Sequence, residues 1–104
     1  MVAYTTTFPA AVQEQIGAKW VLVVKKAMDF WLYEPQLDTV DEHVEWFHQF
    51  WWKDDGQTRP KLIGFFDTAD EACETGIEFA ACAGDESWNW AVYDCDGILV
   101  DGAY

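Results

Sequence analysis

Basic side chains are scarce in this sequence: six Lys and Arg stand against 19 Asp and Glu in 104 residues, for a formal charge of −13. A surface so poor in cations repels a phosphate backbone, which excludes direct binding of nucleic acid. It points instead to a basic protein partner, or to charge that serves solubility or adaptation to salt. Cysteines number only three. Cys73, Cys82 and Cys95 are an odd number without a CxxC spacing or a His at ligand distance, which argues against a zinc site and for reduced thiols in a cytoplasmic protein. No apolar run approaches the roughly 20 residues that cross a bilayer, so no membrane partner is expected. The opening MVAYTTTF has neither the basic region nor the apolar core of a signal peptide.

Apolar residues, in contrast, are plentiful. They make up 51% of the chain, with 17% aromatic and seven Trp, so disorder is excluded and a single domain over residues 1–104 is expected. Seven indoles are hard to bury together, because each buried N–H needs a partner; some Trp should therefore lie at a rim.

The stretch Asp38–Lys53, DTVDEHVEWFHQFWWK, organises the reading. At helical spacing Val40, Val44, Phe47 and Trp51 form one apolar stripe, with Trp46 and Phe50 along its edge, while Asp41, Glu42 and Glu45 fall on the far side. Thr39 and Glu42 have the spacing of a capping box that starts this helix. Asp67–Ala83 opens the same way, with Thr68 and Glu71, either by duplication or, more simply, by reuse of a common cap. Its apolar face is small: Ala69, Ala72, Cys73, Gly76, Ala80 and Ala83, with Phe79 and Ile77 at the margins. A mid-helix Gly costs about 1 kcal/mol against Ala, so Gly76 implies a bulky neighbour, with aromatics of the first long helix or of Met28–Glu34 as candidates.

Around these helices the strands are short. Lys19–Lys26, KWVLVVKK, is apolar on both faces and suits a central strand. MDFWLYE, Met28–Glu34, ends at Pro35 and reads as its hairpin partner, a helix over Lys25–Tyr33 being the alternative. Lys61–Phe66 is a buried-type strand in which Gly64 suggests a bulge or a close approach of backbone. Trp88–Cys95 and Ile98–Asp101 flank Asp96-Gly97, a two-residue hairpin signal. A short helix begins near Pro9, capped by Thr7 or Phe8, and stops at Gly17. The expected fold is α+β: a mostly antiparallel sheet of about five strands, two long helices packed on one face, and a short N-terminal helix.

Ala91–Gly102, AVYDCDGILVDG, resembles the first motif of the haloacid dehalogenase superfamily of phosphatases, in which a strand ends in Asp-x-Asp-Gly. The resemblance implies a magnesium-dependent site with Asp94 as phosphoryl nucleophile and Asp96 as acid/base. It covers about a tenth of the chain, and the sheet and phosphate-binding residues that follow this motif in the family have no counterpart after Gly97. A tight turn explains Asp-Gly without chemistry. His43 and His48, five apart, do not share a helical face as a metal pair would, and read as surface or half-buried residues. No catalytic residue, cofactor or metal ligand is assigned.

The remaining pattern is the acid itself. Only Lys53 interrupts either long helix, so compensating i, i+4 pairs are nearly absent and mutual repulsion stands unrelieved. With the two helices side by side, Asp41, Glu42, Glu45, Asp70, Glu71, Glu74 and Glu78 would share one outward surface, with carboxylates every ~5–6 Å, comparable to phosphates along a strand. Trp46 and Trp52, rimmed by acids, would anchor it. The expectation is a small non-enzymatic inhibitor that occupies the basic groove of a nuclease or other nucleic-acid-binding protein. Anti-restriction and anti-CRISPR DNA mimics, nuclease immunity proteins and antitoxins have this character. The alternatives are an acidic domain with solubilising charge and, more remotely, a phosphatase-like site at Asp94 and Asp96.

Overall fold

The structure, a computed structural model, describes residues 5–26, 38, 39, 42, 46, 48, 51, 52, 60–82 and 88–103. Within these, α1 spans Ala10–Ile16, β1 Trp20–Lys26, β2 Pro60–Phe66, α2 Ala69–Ala81, β3 Trp88–Tyr93 and β4 Leu99–Ala103. Glu42, Trp46, His48, Trp51 and Trp52 are also helical. The described strands form one antiparallel sheet in the order β2-β1-β3-β4. The α+β class is as expected, with four strands among the described residues where about five were predicted. The predicted strand Met28–Glu34 lies outside the described residues.

β1 is central because both its faces are apolar. Val21, Leu22, Val23 and Val24 are completely buried, and opposite them in β3 so are Ala91, Val92 and Tyr93. Side chains alternate across a strand, so Val21, Val23, Ala91 and Tyr93 serve one face while Leu22, Val24, Trp90 and Val92 serve the other. Such a strand is stable only when both faces are covered.

The cover differs on the two sides, and here the expectation of both long helices on one face is corrected. α2 packs by Ala72, Cys73, Phe79 and Ala80 on the Leu22/Trp90 face. Trp51 and Trp52, from the second half of the Asp38–Lys53 stretch, pack with Phe8, Val12 and Ile16 on the opposite, Val21/Tyr93 face. The doubly apolar β1 supplies the reason, because helices stacked on one side would leave Leu22 and Val24, or Val21 and Val23, open to water. Among the described residues no helix is long and apolar enough to cross a membrane.

Local details follow the sequence. α1 starts one residue later than predicted: Pro9 is the cap, and its carbonyl accepts from Val12 and Gln13 N–H at 3.0 and 3.1 Å. Gly17 ends it at φ 53°. Ile63 is the extra residue of a bulge, since Leu22 faces Gly64 and Val23 faces Leu62; no atom of a neighbouring element crowds Gly64, so the bulge is its explanation.

Candidate partner-binding surface

α2 is set by its cap and by one close approach. Thr68 Oγ1 accepts from Glu71 N–H at 3.2 Å, satisfying one of the orphan donors of the first turn. A Cβ added at Gly76 would lie 2.7 Å from Trp90 Cδ2 and 2.8 Å from its Cε3. Glycine at this position lets the indole sit against the helix backbone. The aromatic neighbour predicted from Gly76 is therefore present, but it comes from β3 and not from the first long helix or Met28–Glu34.

Fixing the small face against Trp90 turns the opposite face to solvent. Asp70, Glu71, Glu74 and Glu78 are all exposed, and the helix has no basic residue in its last turn. Among the described residues none of these four carboxylates is ion-paired: Lys19 Nζ pairs with Asp67 at 3.5 Å, and Lys61 stands 5.8 Å over the Phe79 ring. Asp70 and Glu71 suit the positive end of the helix dipole, whereas Glu78, in the final turn, opposes the negative end. Asp70–Glu74 and Glu74–Glu78 are like-charge i, i+4 pairs, each unfavourable by about 0.2–0.5 kcal/mol. Among these acids Ile77 is 57% exposed. Glu71, Glu74, Thr75, Ile77 and Glu78 line a shallow depression. The sequence placed Ile77 at the margin of the buried face; its isolation from the core follows from the narrowness of the Ala72/Gly76 contact.

Of the other half of the expected surface, Glu42, Trp46 and Trp52 are among the described residues. Glu42 is exposed, but its Oε2 accepts from Asp38 N–H at 3.0 Å and Thr39 N–H at 3.3 Å, while Thr39 Oγ1 accepts from Glu42 N–H at 3.2 Å. This is the predicted capping box, formed in both directions. Asp41 and Glu45 lie outside the described residues. Trp46 is half-buried. Trp52 points inward: its ring meets Phe8 edge-on at 5.7 Å and Tyr93 at 5.9 Å. An indole held there packs the core and is not an exposed anchor. Trp51 and Trp52 cover the sheet face opposite the one that α2 covers.

Beneath Trp52 lies a polar pair that the sequence did not disclose. His48, expected to be at the surface or half-buried, is 3% exposed, and its Nδ1 is 2.9 Å from the Oη of the fully buried Tyr93. Burial lowers the imidazole pKa from 6.5 to about 4, so His48 is neutral at pH 7. No spacing rule links residues 48 and 93; only packing joins them.

Asp94 and Asp96 sit where β3 turns back into β4. Asp94 Oδ1 accepts from Asp96 N–H at 2.9 Å and Ile98 N–H at 3.0 Å, and Gly97 N–H donates to the Asp94 carbonyl at 3.0 Å. Gly97 takes φ 80° and no described non-glycine residue has a positive φ, so this is a turn over Asp94–Gly97 with glycine in the left-handed position, not a two-residue loop. The phosphatase-like motif thus lies on a strand paired antiparallel on both sides, with the Asp94 carboxylate engaged in its own turn. Gly97 also touches the Thr6 backbone, whose N–H donates to the Gly97 carbonyl at 2.8 Å. Among the described residues no three His, Cys, Asp or Glu side chains gather as a metal site. Burial, then Asp101 and Asp70, raises the pKa of the half-buried Cys73 thiol, which disfavours the thiolate.

Comparison of the chain with family models, curated proteins and solved structures returns no match.

Proposed function

We propose that this chain is a small non-enzymatic inhibitor that binds a basic, nucleic-acid-binding surface of another protein, using the outward face of α2. The observation that carries this reading is the row Asp70, Glu71, Glu74 and Glu78, exposed around Ile77 with no cation paired to it among the described residues. A row that strains its own helix stays useful when a partner's Lys and Arg relieve the repulsion on binding. Ile77 supplies a small apolar contact inside the charged rim. The acids would speed encounter at low salt and occupy positions that phosphates otherwise fill. Restricting the contact to α2 narrows the two-helix surface expected from sequence.

The test is capture of basic nucleic-acid-binding proteins from host lysate at low salt by the immobilised chain, with double-stranded DNA as competitor. Capture that DNA displaces and that the Glu71→Lys/Glu74→Lys/Glu78→Lys variant loses supports the proposal. Equal capture by variant and parent overturns it.

A second reading, charge that serves solubility or salt adaptation, is favoured by the spread of the other exposed acids: Glu14 on α1, Asp67 before α2, and Asp96 and Asp101 in the hairpin. It predicts that the fold gains stability as sodium chloride rises and that no partner is displaced by DNA.

A further inference from the structure

We draw no further inference here: the strongest candidate, the shallow depression around Ile77 on the outward face of α2, belongs to the surface already described and rests on an acidic cluster with nothing in the structure to show what covers it.

Discussion

The two faces of the sheet both carry aromatic side chains but receive their covering elements differently. On the Val21/Tyr93 side large groups meet large groups: Phe8, Trp51, Trp52 and Tyr93 interlock, and His48 is enclosed with them. On the Leu22/Trp90 side Trp90 lies against the α2 backbone at Gly76 with Ala72 beside it, and Phe79 of α2 meets Trp88 edge-on at 5.3 Å. The first arrangement fixes position by interdigitation and carries a buried titratable pair. The second brings a helix backbone close to the sheet and directs its whole polar face outward. Consequently the Val21/Tyr93 face is where the fold is vulnerable, and the outward side of α2 is where charge can be displayed without touching the core.

Removing a large group from the first face should produce the largest effect. Trp51→Ala leaves a cavity under a fully buried side chain and should lose about 3–5 kcal/mol in urea unfolding. A loss below about 1 kcal/mol would show that the Val21/Tyr93 face does not hold the fold.

The same face should give the molecule a pH dependence. His48 has a lowered folded pKa, so between about 4 and 6.5 the unfolded chain binds a proton that the folded chain refuses. Its contribution is fully present above pH 6.5 and is lost as pH falls toward 4, by up to about 3 kcal/mol. Carboxylate protonation relieves repulsion and works the other way at the acid end. Stability of the parent and of His48→Gln should therefore be compared from pH 7 to about 5, where reference carboxylates remain mostly ionised. A slope that persists unchanged in the variant would remove His48 as its source.

On the second face the sensitive change is an addition. Gly76→Ala gains about 1 kcal/mol of helix propensity, but overlap with the rigid ring of Trp90 at 2.7 and 2.8 Å costs about 2–3 kcal/mol, for a net loss of about 1–2 kcal/mol. Combining it with Trp90→Leu should abolish that penalty, a coupling that a double-mutant cycle measures. If the two effects simply add, the Gly76–Trp90 approach is not what positions α2.

The smallest effect on the fold belongs to the outward charges. Single changes Glu71→Lys, Glu74→Lys or Glu78→Lys should each shift stability by no more than about 0.5 kcal/mol, Glu78→Lys upward because it suits the helix C-terminus. A large loss from any one of them in thermal unfolding would mean that this face is structural and would end the contrast drawn between the two sides.

Some of this was readable in the residues because it is local. Thr39 with Glu42 and Thr68 with Glu71 announce helix starts, since a capping hydrogen bond spans three residues. Gly76 announces a close neighbour, and Gly64 a bulge. The candidate surface was half legible: the acids of α2 are outward as their spacing requires, whereas Trp52, assigned to the polar side, is drawn inward by Phe8 and Tyr93. Proximity of Tyr93 depends on contacts far along the chain, which periodicity within one helix does not contain.

The amino-acid order by itself determined the charge, the caps, the α+β class and the alternation that divides β1 and β3 between two faces. Tertiary structure alone decided which helix covers which face, that Trp90 fills the gap at Gly76, and that His48 meets Tyr93. The physical reason is that Val21–Val24 is apolar on both sides: it demands two covers without labelling either, so only competition among side chains for the available space assigns α2 to one face and Trp51 to the other.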